Sequence, residues 1–214
     1  MEYHKIVTAF ARNPETNFKT LVDGQWATPE LSYLKDVEWI WMEKIDGTNM
    51  RVMWDGEKVV FGGKTDHAQL YAPLVEWMHG KFYSGALARV FDGPATIYGE
   101  GFGAGIQGGG KYRTDTIIAV FDVFMGGMWL KRESVEDIAT KLEIDVVPIV
   151  GHGPLMNAIA RVENGITSTY GPFSAEGLVM RPAVELLDRR GHRIITKIKT
   201  KDFHSPRPRT AGLL

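Results

Sequence analysis

The sequence contains no cysteine, and that absence removes disulfides, thiolate zinc sites and cysteine nucleophiles together. Long apolar runs are missing too. Nothing approaches the roughly 18 residues that a membrane-crossing helix needs, and Met1-Glu2-Tyr3-His4-Lys5 is not followed by the apolar core of a signal peptide. A reducing, cytoplasmic setting with no membrane partner is therefore expected. Surplus charge is also lacking. The net charge is -1 over 214 residues, so the basic excess that usually marks a phosphate-binding surface is not visible in the total. The six histidines (His4, His67, His79, His152, His192 and His204) are dispersed without metal-ligand spacing, which argues against structural zinc.

What is present is an ordinary globular composition, 44% hydrophobic and 24% charged. The length predicts one domain over residues 1–214, with a basic tail at 200–214 and no separate C-terminal domain; a monomer is expected. Basic charge is concentrated at the C-terminal end. Between Arg181 and Arg209 stand nine Lys or Arg against three acids, Glu185, Asp188 and Asp202. By itself such a run is most often a solvated face.

Residues 37–43, rich in aromatic and β-favouring side chains, read as a strand running into Lys44. Residues 49–54 and 58–61 read as a hairpin turning at Asp55-Gly56. Helical spacing of Leu70, Tyr71, Leu74, Val75 and Met78 predicts helix over about 67–90, broken near Gly80. Strands are predicted at 95–100 and 116–124, the latter turning through Gly126-Gly127 into 128–130. Ser134 is a candidate cap for a helix over 135–142, and Asn164-Gly165 a candidate end for one over 153–162. Residues 176–181 and 193–199 close the pattern as strands. Short hairpins with interspersed helices predict an α+β fold built on antiparallel sheets flanked by helices. The Gly108-Gly109-Gly110-Lys111 run lacks the phosphate-loop pattern and reads as a mobile loop.

Glu43-Lys44-Ile45-Asp46-Gly47-Thr48-Asn49 places a lysine just ahead of a tight glycine turn. A lysine becomes nucleophilic at neutral pH only if its pKa, about 10.4 in water, is lowered by cationic neighbours or burial. Lys197 and Lys199 are candidates for that role. Two apart on one strand, their side chains share a face, from which they would also stabilise charge developing on a phosphate. Glu100 and Glu176 each precede a glycine at a strand end, where a carboxylate is well placed for a ribose hydroxyl or a hydrated magnesium ion.

The Lys-x-Asp-Gly pattern resembles motif I of the covalent nucleotidyltransferases: DNA ligases, RNA ligases and mRNA-capping enzymes. Further matches follow in order: Tyr98-Gly99-Glu100, Phe121-Asp122, Glu176-Gly177-Leu178-Val179 and Lys197-Ile198-Lys199. Gly105-Ile106-Gln107 and Ala175-Glu176-Gly177 are closest to the bacteriophage T4 RNA ligase 2 branch, over about residues 40–205. Asp46 departs from the histidine frequent in that branch, and Lys64 from its arginine, losing bidentate contact.

The resemblance implies an ATP-grasp-like nucleotidyltransferase fold and an ATP- and Mg2+-dependent RNA ligase that works through a lysyl-AMP at Lys44. It implies Lys197 and Lys199 at the phosphates and Glu100 at the ribose. Glu176 would take the metal, largely through water. Phe121 and Val179 would stack on adenine, Glu43 would help recognise it, and Asn49 and Lys64 would bind ribose or phosphate. Arg181 and Lys201 are expected to bind the nucleic acid. A DNA ligase, a capping guanylyltransferase and a non-catalytic binding module are the alternatives.

Overall fold

The computed structural model describes residues 2–204. Residues 205–214, and with them Arg207 and Arg209 of the expected tail, lie outside the described residues. The chain divides into two compact units, one of Lys5–Lys44 and Ile149–Leu214, the other of Met1–His4 and Ile45–Pro148.

The first unit begins with β1 (Val7–Thr8), β2 (Phe10–Arg12), β3 (Leu21–Trp26), α1 (Pro29–Tyr33) and β4 (Trp39–Glu43). Thr28 caps α1 by accepting the Leu31 N–H, and Pro29 fixes its first turn.

The second unit then runs through β5 (Thr48–Trp54), β6 (Val59–Gly62), α2 (Ala72–Lys81), α3 (Ser84–Leu87), β7 (Ala95–Gly103), β8 (Thr116–Met125), β9 (Met128–Trp129), α4 (Arg132–Leu142) and β10 (Asp145–Val146). β5 and β6 form the expected hairpin, Asp55 Oδ1 accepting the N–H groups of Glu57 and Lys58 at 2.8 and 2.7 Å. The helix expected from residue 67 starts at Ala72, where Pro73 sets the first turn, and breaks at Phe82–Tyr83 rather than at Gly80. Ser134 is not a cap. α4 begins at Arg132, whose buried guanidinium bonds the Val147 carbonyl at 2.9 Å and Glu136 at 2.7 Å, a tertiary pull that extends the helix by a turn.

The chain returns to the first unit as β11 (Ile149–Gly153), α5 (Leu155–Glu163), β12 (Gly177–Pro182), β13 (Thr196–Lys199) and α6 (Lys201–His204). Its five-stranded sheet has the order β1-β13-β12-β4-β11, with every pairing antiparallel except β1 with β13. Trp39, Trp41, Leu178, Met180 and Ile198 project from one sheet face into a core shared with Leu155, Ala158, Ile159 and Val162 of α5. Burying each of the larger side chains contributes about 1.5–3 kcal/mol. The second unit's sheet runs β10-β8-β7-β5-β6, antiparallel except for β10 with β8, with β9 on β8, and packs Met50, Val52, Ile97, Ile118 and Val120 against α2 and α4. The α+β architecture with antiparallel sheets is the one the sequence pattern predicts.

Candidate active site

In the first unit, Lys44, Glu176 and Lys199 stand at three neighbouring strand ends. Their juxtaposition is fixed by backbone. The Lys44 N–H donates to the Gly177 carbonyl, the Thr200 N–H donates to the Glu176 carbonyl, both at 2.9 Å, and Thr200 Oγ1 donates to the Ala175 carbonyl at 2.8 Å. Gly177, at φ +150°, lies directly against the Ile198 carbonyl, so only a residue without Cβ lets β12 start this close to β13.

The Glu176 carboxylate bridges the two lysines, Oε2 accepting from Lys44 Nζ at 2.7 Å and Oε1 facing Lys199 Nζ at 2.6 Å. All three side chains are only 17–21% exposed. Burial pushes the Glu176 carboxyl up, but the charges of Lys44 and Lys199 and the hydrogen bonds they donate outweigh it and hold it below the usual carboxylate range.

Lys197 and Lys199 share a face of β13, as period two requires, while Thr196 and Ile198 are buried on the other. Val179 is the direct cross-strand partner of Lys197 and also faces Met42. The lysine face therefore has an apolar floor.

Glu43 takes a different position. Opposite Leu178, it sits on the buried side of the sheet at 2% exposure. Its carboxylate accepts from Ser168 Oγ at 2.5 Å, Thr169 N–H at 2.8 Å and Thr169 Oγ1 at 2.7 Å. The side chain ties the 168–170 turn to the strand that carries Lys44. Nothing local in the sequence announces this contact between residues 125 apart.

In the second unit, Asn49 and Glu100 are direct cross-strand partners on β5 and β7, so their side chains share a face. Gly47 leaves room for the Glu100 side chain, whose Oε1 lies 3.2 Å from where a Cβ at Gly47 would stand. Asn49 Oδ1 is buried without a hydrogen-bond partner among the described residues.

Phe121 is the extra residue of a β-bulge, since Tyr98 pairs with Asp122 but Gly99 with Val120. A bulge re-aims a side chain. Phe121 is accordingly absent from the core that takes Ile118, Val120 and Val123, and meets Tyr3 edge-on at 5.1 Å. Tyr3 in turn donates to Asp122 Oδ2 at 2.5 Å.

Lys64 is exposed, on a loop held by Arg51, a residue that sequence reasoning missed. Arg51 is 1% exposed and donates to the Gly63 carbonyl at 2.7 Å and to Asp66 at 2.8 Å. The Gly108–Lys111 run, expected as a mobile loop, contains a short turn. It forms a 3-10 turn at Gly109–Lys111, with Gly109 packed on the Gly103 backbone.

Of the two residues expected to bind a strand, Lys201 is exposed at the start of α6, whereas Arg181 is only 6% exposed, on the same sheet face as Val179. That withdrawal suits a phosphate held within the site better than one on the surface. Among the described residues no group of three His, Cys, Asp or Glu could hold a metal ion, so these residues offer no all-protein cage. A magnesium ion retaining water and bound through one or two carboxylates plus substrate phosphates fits this donor set.

The family model for RNA ligase matches residues 37–199. Among curated proteins no sequence matches the chain. Solved structures of a Naegleria gruberi RNA ligase share the fold. A lysine-to-alanine variant with ATP and Mn superposes with TM-score 0.66 at 15% identity, covering 82% of this chain and 53% of that one. A lysine-to-methionine variant with AMP and Mn gives 0.65 at 15% identity, with coverage of 82% and 53%. The same enzyme with PPi gives 0.65 at 17% identity and the same coverage. The chain thus spans about half the length of these structures.

Proposed function

The chain belongs to the RNA ligase family, and from that premise we propose that it is an ATP-dependent RNA ligase that joins 5'-phosphate and 3'-hydroxyl ends through a lysyl-AMP at Lys44. The observation that carries the reading is the Glu176 carboxylate set between Lys44 and Lys199. The carboxylate holds the Lys44 amine in position and is the group placed to take the proton that the amine gives up as the P–N bond forms.

In the first step the Lys44 amine attacks the α-phosphorus of ATP, forming a P–N bond and releasing pyrophosphate. Lys197 and Lys199 stabilise the charge that builds on the phosphate oxygens and leaving group. In the second, a 5'-phosphate oxygen displaces Lys44 from the AMP phosphorus, giving an adenylylated strand. In the third, a 3'-hydroxyl attacks the 5'-phosphate, forms the phosphodiester and expels AMP. The resemblance to the nucleotidyltransferases supports Asn49 and Glu100 as the residues for the ribose hydroxyls, and Phe121 and Val179 as those for the base. Glu43 contributes by fixing the strand before the nucleophile, its carboxylate being engaged elsewhere.

A divalent cation, when bound, neutralises phosphate charge. Glu176 is the carboxylate nearest the lysines that would hold it through water. The structural neighbours were solved with ATP, AMP, PPi and Mn, which supports a nucleotide-and-metal reading. The cysteine-free sequence supports a reducing, cytoplasmic compartment, and we take the working form to be a monomer.

Labelled ATP or GTP followed by denaturing electrophoresis tests the first step. Label from ATP should stay on the wild-type chain and be absent from Lys44→Ala. Labelling by GTP alone would instead indicate a capping enzyme, and a labelled Lys44→Ala would remove the nucleophile. Sealing of matched RNA, DNA and mixed nicks then separates RNA ligase from DNA ligase.

A further inference from the structure

The segment joining β12 to β13 is not used by the chemistry above, yet it is tightly built. Leu187 and Arg193 bridge as an antiparallel pair, and the Ile194 N–H donates to the Leu186 carbonyl at 2.9 Å. The tip folds round Asp188. Asp188 Oδ1 accepts the N–H groups of Arg190 and His192, both at 2.8 Å, and its own N–H donates to the His192 carbonyl at 2.7 Å. Gly191, at φ +80°, closes the turn by donating to the Asp188 carbonyl at 3.0 Å.

Both acids of this hairpin are spent internally. Asp188 organises the turn and faces the His192 ring at 3.2 Å, and Glu185 takes a two-point grip from the buried Arg193 at 2.6 and 2.8 Å. Arg189 and Arg190 are exposed, and no described acid pairs with either. With Glu185 and Asp188 engaged within the hairpin, the charges it leaves for a partner are the Arg189 and Arg190 guanidinium groups, set beside the exposed Leu187 and suited to two-point contact with phosphate. The hairpin is also continuous with the two strands whose other ends bear Glu176 and Lys199, so a contact at its tip bears on a polymer engaged by the same ribbon.

We infer that the Leu187–Arg193 hairpin grips the phosphodiester backbone of the strand being joined, with Arg189 and Arg190 as its contacts. The inference rests on the ligase reading but concerns strand binding rather than lysyl-AMP formation. It moves the expected strand contact from the withdrawn Arg181 to this tip.

The test is the double variant Arg189→Ala/Arg190→Ala, with binding of a 5'-phosphorylated nicked RNA duplex measured by fluorescence anisotropy between about 50 and 200 mM salt. Affinity should fall about tenfold at the lower salt. The slope of log K against log salt should shrink by roughly 1.8, about 0.9 per lost phosphate contact. Arg189→Lys/Arg190→Lys should restore most of the slope. AMP labelling of Lys44 from ATP without a strand should be unchanged. A wild-type slope in the alanine variant overturns the inference, as does a labelling rate that falls in parallel with strand binding. A wild-type chain that takes no label from ATP would instead sink the ligase reading.

Discussion

Lys44 Nζ donates to Glu176 Oε2 at 2.7 Å, so the candidate nucleophile is held by a carboxylate rather than left among cations. From the sequence alone, Lys197 and Lys199 are the charged neighbours expected around it. The structure adds Glu176 as the group that divides its two oxygens between Lys44 and Lys199, which aligns the amine and sets the charge that catalysis must rearrange.

Replacing Glu176 with glutamine keeps the shape and removes the charge. Two ammonium groups then lose their common counter-ion, and lysyl-AMP formation is expected to slow by at least tenfold, about 1.4 kcal/mol of barrier. Rapid-quench measurement of label on the protein checks this. A variant faster than wild type would mean that Glu176 is only a restraint on the lysine.

The same pair sets a pH dependence. The folded Glu176 pKa lies below its unfolded value, because the pull of Lys44 and Lys199 outweighs the opposing effect of burial. Its contribution to stability is fully present above the unfolded value, about 4.3, and is lost as pH falls through the lowered folded value. Wild type should melt above Glu176→Gln at pH 6, with the gap closing towards pH 3. The carboxyls of Asp55, Asp66, Asp115 and Asp188 are shifted in the same direction and are common to both proteins, so they cancel in the difference. A gap that stays constant with pH would remove the linkage.

Much of this site is legible in the sequence because its parts are periodic or terminal. The shared face of Lys197 and Lys199 follows from strand alternation, and the positions of Lys44 and Glu176 follow from strand ends marked by glycine. What is not legible depends on tertiary partners. β1, β2 and β10 have too few residues to show a period. Nothing in the sequence marks Arg51 as buried, and Arg181, expected to meet a nucleic acid, is buried too. The bulge at Phe121 is invisible in an apolar run, and the Glu43 contacts join segments 125 residues apart.

Those Glu43 contacts make a prediction of their own. Ser168→Ala/Thr169→Val removes two hydroxyl donors from a buried carboxylate and leaves the Thr169 N–H. Hydrogen bonds to charged groups contribute about 1.5–3 kcal/mol each, so urea unfolding should show a loss of roughly 3–6 kcal/mol. If the turn also steadies the strand that aims Lys44, the rate of AMP transfer at saturating ATP should drop about tenfold (~1.4 kcal/mol) while the ATP KM stays near wild type. A full stability loss with a wild-type rate would leave the contact purely structural.

Asn49 separates binding from stability in the opposite way. Its buried Oδ1 has no protein partner among the described residues, so the fold already bears the cost of desolvating it, on the order of 1–3 kcal/mol. Asn49→Ala should therefore leave the melting temperature unchanged or slightly raised. If that oxygen accepts a ribose hydroxyl beside Glu100, the same substitution should raise the ATP KM by about tenfold, equivalent to ~1.4 kcal/mol of binding. The 2'-deoxy and 3'-deoxy analogues of ATP identify the hydroxyl, since the one that Asn49 accepts from will lose affinity for wild type and not for the variant. A destabilised variant with an unchanged KM would show that Asn49 is satisfied within the protein and has no part in holding the nucleotide.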